Sequence, residues 1–202
     1  MDQEIEVKFL VRDHNALIKK IIELQLLCIQ ERVHELNLRF DLADGSLLAK
    51  RQVLRLRMDT HARLTFKGPG VLVEEVLQRK EVEVIVSDFE ATKRLLEALG
   101  YQVVMMYEKY RANYQLNSLV VSVDETPFGL FVELEGESPD QIRKAAKALG
   151  LDWDTRINLS YSALLDVFNR NTDHAFRDLS FENFSDLQVN PNNLGLRFGD
   201  LV

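Results

Sequence analysis

The chain has 202 residues, 46% of them hydrophobic and 28% charged, proportions typical of a soluble globular protein with one sizeable domain or two small ones. A net charge of −7 speaks against general nucleic-acid binding, which needs a basic surface. No apolar run approaches the roughly 20 residues of a membrane-spanning helix. The single cysteine, Cys28, excludes a disulfide framework or a multi-cysteine zinc site. The N-terminus opens on acids in a strand pattern rather than a leader, so the expectation is a cytoplasmic protein with no nucleic-acid or membrane partner.

Residues 4–11 read as a strand. Asp13 caps a helix expected to run to about Cys28, with Leu17, Ile21, Leu24 and Cys28 on one apolar stripe and the thiol in the core. Residues 33–41 read as extended, and Asp44-Gly45 as a turn. Strands follow at 52–59 and 62–67, then the loop Gly68-Pro69-Gly70 and a further strand within 71–87. Ser87-Asp88 opens a helix that ends at Gly100, where glycine supplies the left-handed cap. Strands at 102–115, 118–125 and 129–137 form a meander. Ser138-Pro139-Asp140 starts a helix that stops at Gly150, and a last helix is expected over roughly 156–169. The fold expected is α+β: an eight-stranded antiparallel β-barrel spanning 1–170 with flanking helices, then a tail, 171–202, extended or packed on the barrel. Phe176, Phe181, Phe184, Leu187 and Phe198 give that tail the apolar surface to drape. A closed barrel exposes no strand edge that needs covering, so a homodimer is compatible with the sequence without being implied.

The most informative pattern is the alternation within the strands. Glu4, Glu6 and Lys8 alternate with Ile5, Val7 and Phe9, so one face is apolar and the other carries two acids and a base. The same holds for Arg55 and Arg57; Arg63, Thr65 and Lys67; Arg79, Glu81 and Glu83; Lys109 and Arg111; Ser122 and Asp124; and Glu133, Glu135 and Glu137. An ordinary half-solvated sheet would turn such charges to water. These faces, however, are almost pure acid and base, and the signs segregate by strand. That argues for a lumen built around a charged ligand. Carboxylates suit Mg²⁺ or Mn²⁺, and arginine forks match phosphate. Glu4 and Glu6 should repel one another until a cation binds. His14, His34, His61 and His174 are scattered without ligand spacing and read as surface residues.

Glu4-x-Glu6-x-Lys8 resembles the ExExK signature of the CYTH superfamily, the triphosphate tunnel metalloenzymes. The resemblance continues through Phe40-Asp41, Leu54-Arg55-Leu56-Arg57, Thr65-Phe66-Lys67-Gly68, Arg79-Lys80-Glu81-x-Glu83, Glu108-Lys109-x-Arg111, Val123-Asp124-Glu125, Glu133-Leu134-Glu135 and Ser160-Tyr161-Ser162-x-Leu164-Leu165. It implies a tunnel that holds inorganic triphosphate, ATP or another organic triphosphate with Mg²⁺ or Mn²⁺. The implied metal ligands are Glu4, Glu6, Glu83, Asp124, Glu133 and Glu135. The implied phosphate clamp is Lys8, Arg55, Arg57, Lys67, Arg79, Lys109 and Arg111, and the implied catalytic groups are Lys8, Arg57, Lys67, Glu81 and Asp124. Family members hydrolyse inorganic or thiamine triphosphate, or cyclise ATP to cyclic AMP and pyrophosphate. The leading expectation is a metal-dependent triphosphatase; the rivals are a class IV-type adenylyl cyclase and a non-catalytic polyphosphate- or nucleotide-binding module. Two departures speak against specific thiamine recognition: no Trp or Tyr lies between the first strand and Phe40, and the 13–29 helix has no tyrosine.

Overall fold

Four helices begin with the same device, a side-chain oxygen that accepts the backbone N–H three residues on and so satisfies one of the donors a helix start leaves open. Asp13 caps α1 (His14–Glu23) through Ala16 N at 2.9 Å, and Asp88 caps α3 (Phe89–Ala98) through Ala91 N at 2.8 Å. Ser138 caps α4 (Pro139–Ala148) and Ser160 caps α5 (Tyr161–Asn171) in the same way. The single turn α2 (Ser46–Ala49) is held by Asp41, whose carboxylate accepts from Leu47 N and Leu48 N, each at 2.9 Å. The computed structural model describes the backbone of residues 2–200 and the side chains of residues 5–200. No helix among them is long and apolar enough to cross a membrane.

Nine strands lie between the helices: β1 (Asp2–Val11), β2 (Leu27–Leu42), β3 (Val53–Met58), β4 (Ala62–Lys67), β5 (Val71–Val73), β6 (Val76–Val86), β7 (Tyr101–Leu116), β8 (Leu119–Thr126) and β9 (Gly129–Glu135). They pair in the order β1-β9-β8-β7-β2-β3-β4-β6, every ladder antiparallel, and β6 pairs back onto β1 to close an eight-stranded ring. The ninth strand, β5, is a short hairpin partner of β6.

Two expectations are corrected here. First, α1 does not reach Cys28. It stops at Glu23 because Gln25 turns left-handed at φ 54°, with Gln25 N bonded to Ile22 O and Leu26 N to Ile21 O, the double back-bond of a Schellman stop. Cys28 therefore lies in β2 and is exposed, not in the core. Second, α5 begins at Tyr161 rather than near 156. Ile157 exchanges two backbone bonds with Lys8, which holds the preceding segment extended against β1.

The apolar faces of β1, β8 and β9 pack under α1 and α4, and those of β2, β3 and β4 pack under α3. No helix covers the outer wall of β6, where Val82 and Val84 remain 47% and 49% exposed. Arg79, Glu81 and Glu83 on the same strand face inward. This strand inverts the usual sheet, with polar groups inside and valines in water.

α5 fills one end of the ring. Tyr161, Leu164, Leu165 and Phe168 pack against Leu10, Tyr107 and Phe131, the last residues on the inward faces of their strands. The chain beyond α5 is packed rather than loose. Leu179 bridges to Tyr107 where β8 leaves the β7 edge free, and Asp178 accepts from Met106 N at 2.7 Å. Phe176, Phe184, Leu187 and Phe198 join the α5 core, and Phe181 packs on Tyr110. Gly199 bonds to Leu10 O at 2.7 Å in a gap too tight for a side chain, since a Cβ there would stand 2.8 Å from Thr155 Oγ1.

Candidate active site

The ring encloses a cavity of about 270 Å³. Because side chains alternate across a strand, the charges that line it come from the β1, β3, β4, β6, β7 and β9 positions that the sequence singled out, and β2 adds its own. The same-sign pairs seen along each strand are interleaved across the ladders. Lys8 lies opposite Glu133, Arg111 opposite Asp124, Lys109 opposite Glu35, and Lys67 opposite Glu81. Cross-strand ion pairs thus form beside same-sign neighbours that remain, Arg39 opposite Arg55 and Glu6 opposite Glu135.

On one side of the lumen, Lys8 Nζ sits 2.9 Å from Glu6 and 3.5 Å from Glu133. Arg111 donates two bonds of 2.6 Å to Asp124 and a further one to Glu133. Lys109 reaches Asp124 at 2.9 Å and Glu35 at 3.6 Å. Across the lumen, Arg57 lies 3.2 Å from Glu83, 3.6 Å from Glu35 and 3.7 Å from Asp59. Arg55 donates to Tyr107 Oη at 3.3 Å, Thr65 donates to Glu83 at 2.8 Å, and Lys67 pairs with Glu81 at 3.0 Å. Four guanidinium Nε atoms in this wall, those of Arg39, Arg55, Arg57 and Arg79, are buried without a hydrogen-bond partner.

These contacts set the charge states. Burial alone would raise the Glu6 carboxyl, but Lys8 outweighs it and holds the pKa at about 2. Glu133 is likewise held well below the usual carboxylate range, burial being overcome by Arg111 and Lys8. Glu135 goes the other way. Although the residue stays exposed at the end of β9, the partial loss of solvent around its carboxyl and the negative Glu6 opposite it push that carboxyl up. Burial and the adjacent Asp124 push the Tyr161 hydroxyl well up, so it remains a donor, 2.7 Å from Asp124.

Of the residues singled out from sequence, Glu6, Lys8, Arg55, Arg57, Lys67, Arg79, Glu81, Glu83, Lys109, Arg111, Glu133 and Glu135 all line this one cavity. Glu4 stands opposite Arg79 in the β1–β6 register, but its side chain lies outside the described residues. Asp124 does not line the cavity. It is fully buried behind the wall, its oxygens taken by Arg111, Lys109 and Tyr161. None of the four histidines lines it either.

Sequence reading missed the contribution of β2. Glu35, Asn37 and Arg39 alternate with Leu36 and Leu38, the same signal used elsewhere, and Glu35 and Asn37 prove fully buried. It also missed the lumenal roles of Tyr107 and Tyr161. Among the described residues, no three carboxylates, imidazoles or thiolates are already gathered around a metal position. The chemistry of Glu6, Glu133 and Glu135 nevertheless fits a hard divalent cation, because the raised Glu135 carboxyl beside the Glu6 carboxylate marks a place where added positive charge would be stabilising.

The pattern that defines the CYTH domain matches residues 2–161. The chain belongs to the CYTH family. A Methanocaldococcus jannaschii relative with the provisional name adenylate cyclase is 27% identical over 173 residues, covering 80% of this CYTH chain and 97% of the relative. Among solved structures, a provisionally named adenylate cyclase from Vibrio parahaemolyticus superposes with a TM-score of 0.73 at 20% identity, over 81% of this chain and 97% of the other. The Hippeastrum protein HpAC1, provisionally an adenylyl cyclase and described as having a dominant triphosphatase activity, superposes with a TM-score of 0.61 at 18% identity, over 82% and 95% of the two chains. At these identities the solved structures speak for the fold: a ring of antiparallel strands with flanking helices.

Proposed function

We propose that this CYTH protein is a divalent-metal-dependent hydrolase of inorganic or organic triphosphates bound in the lumen of the ring. The observation that carries the reading is the set of four buried, unpartnered guanidinium N–H groups around a cavity that Glu6, Glu133 and Glu135 also line. A buried donor without a partner is costly, and phosphate oxygens would satisfy all four. Arg55 and Arg57 would grip the phosphate chain through paired donors, and Lys67 and Lys8 would add point charges. Mg²⁺ or Mn²⁺, held by Glu6, Glu133 and Glu135, would neutralise charge on phosphate oxygens. Glu81, steered by Lys67, would orient a water for in-line attack. The water oxygen bonds to the terminal phosphorus, the bridging P–O bond breaks, the proton passes to the carboxylate, and the shortened chain leaves.

Asp124 would act by placing Lys109, Arg111 and Tyr161. HpAC1 supports hydrolysis over cyclisation, since its described dominant activity is triphosphatase on the same fold. The test is incubation with inorganic tripolyphosphate, ATP and thiamine triphosphate, each with Mg²⁺ or Mn²⁺, and chromatographic separation of products. Orthophosphate release supports the reading, and cyclic AMP with pyrophosphate replaces it by a cyclase. Metal-dependent binding with no product replaces it by a sensing module.

A further inference from the structure

Arg39, like Arg79, differs from the other cations of the lumen. Lys8, Lys67, Arg57, Lys109 and Arg111 each lie within 4 Å of at least one carboxylate. Among the described residues Arg39 has none: its one hydrogen bond runs from Nη1 to Ser162 Oγ at the start of α5, and its Nε is buried without a partner. Asp41, two residues along β2, is occupied by the N–H groups of Leu42, Leu47 and Leu48, and Tyr107 Oη already accepts from Arg55. The consequence is visible in the charge states. Burial pulls Arg39 below its ordinary value, more than Tyr107, Asp166 and Asp41 restore, and the like charge of Arg79 adds to the fall, whereas Arg111 is raised well above its own by Asp124 and Glu133 in spite of burial.

The surroundings decide what such a charge can bind. Ser160, Tyr161 and Ser162 bring the start of α5 to the same cavity. The Tyr161 ring is flanked by Lys8 and Lys109 at 5.8 and 5.2 Å and meets Phe131 edge-on at 5.3 Å, and Tyr107 packs against it at 6.5 Å. Neither ring is left open for a heterocycle. The remaining neighbours in the wall are hydroxyls, Val53 and a second guanidinium, that of Arg79, whose Nε is buried without a hydrogen-bond partner and which has no carboxylate within 4 Å among the described residues.

We propose that Arg39 is a specificity-determining residue which, together with Arg79, holds an oxyanion at the α5 side of the lumen, so that the site selects phosphate chains unesterified at both ends over nucleoside triphosphates, whose α-phosphate carries the nucleoside. The inference rests on the triphosphate reading above and names the substrate class within it. Ser162 holds the guanidinium in place, and Arg79 completes a two-pronged anion site.

The test is calorimetric binding, without divalent cation, of inorganic tripolyphosphate and of ATP to the wild-type protein, Arg39→Gln and Arg39→Lys. Arg39→Gln should lose tenfold or more in tripolyphosphate affinity and threefold or less in ATP affinity, and Arg39→Lys should recover most of the loss. The retained ATP binding doubles as the check that the variant is folded. Equal losses for both ligands, a larger loss for ATP, or an unchanged ratio overturns the role of Arg39 while leaving the triphosphate reading standing. No tripolyphosphate binding by the wild-type protein, either without divalent cation or with Mg²⁺ present, removes both.

Discussion

Asp124→Asn separates a buried organiser from a metal ligand by the sign of its effect. A ligand carboxylate waiting among like charges would be relieved by neutralisation, and the protein without metal would hold or gain stability. In this structure Asp124 is fully buried and takes two 2.6 Å bonds from Arg111, one of 2.9 Å from Lys109 and one of 2.7 Å from Tyr161. Asparagine keeps the shape, removes the charge and turns an amide N–H₂ toward donors. Removing one partner of a buried charge pair typically costs about 3–5 kcal/mol. Glu133 and Glu35 still lie near Arg111 and Lys109, so the lower end, about 3 kcal/mol, is expected. For a chain of this size that corresponds to a fall in Tm of about 6–12 °C. Urea denaturation of the metal-free protein measures it, with an unchanged m-value as the sign that both states are otherwise comparable. A loss under about 1 kcal/mol, or any gain, would refute the organiser role and return Asp124 to the metal site.

Three further outcomes follow from the same wall. Arg57→Ala should weaken tripolyphosphate binding by about 1.5–3 kcal/mol, the size of a hydrogen bond to a charged group; calorimetry showing unaltered affinity would detach Arg57 from the clamp. Glu135→Gln should stabilise the metal-free fold at pH 7, because a carboxyl whose folded pKa is raised stabilises only below its unfolded pKa and loses that contribution as pH rises; a lower melting temperature would contradict the repulsion with Glu6. Glu6 has the opposite sign. Its carboxyl falls from an ordinary 4.5 to about 2 in the fold, so its contribution is complete above pH 4.5 and disappears as pH drops toward 2. Up to about 3 kcal/mol is at stake, and acid unfolding of Glu6→Gln should be correspondingly shallower between those limits than that of the wild-type protein.

The inward charges were legible in sequence because a strand's period is two and the pattern recurred in strand after strand. The exposed valines on β6 give that reading its physical sense: where no helix covers the wall, the fold leaves Val82 and Val84 half in water rather than turn Arg79, Glu81 and Glu83 outward. β2 carried the same period in Glu35, Asn37 and Arg39. Its polar face includes an amide, so it lacks the acid-and-base purity that drew attention elsewhere. The end of α1 was misread because Leu24 and Cys28 continue the apolar spacing of Leu17 and Ile21, while the left-handed turn at Gln25 is made by a residue with no sequence signature for it. Asp124 was legible as an inward carboxylate, but its depth was not: alternation gives a side chain's direction only, and the packed structure shows Tyr161 arriving from α5 to donate to the same oxygen as Lys109 and Arg111.

Direction without depth also explains why the site's electrostatics could not be read strand by strand. Along β1 the acids of Glu4 and Glu6 look like a standing repulsion, and along β3 Arg55 and Arg57 look like its mirror image. The ladders answer only part of this: they set Lys8 against Glu133 and Lys109 against Glu35, but Glu6 against Glu135 and Arg55 against Arg39, so like charges still face one another across strands. Among the described residues two imbalances of charge stand out: the raised carboxyl of Glu135, and the guanidiniums of Arg39 and Arg79, which have no carboxylate within 4 Å. A cation satisfies the first and an oxyanion the second. A bound phosphate chain with its metal would therefore remove both residual imbalances at once, and that is the physical ground for expecting the two ligands to bind cooperatively.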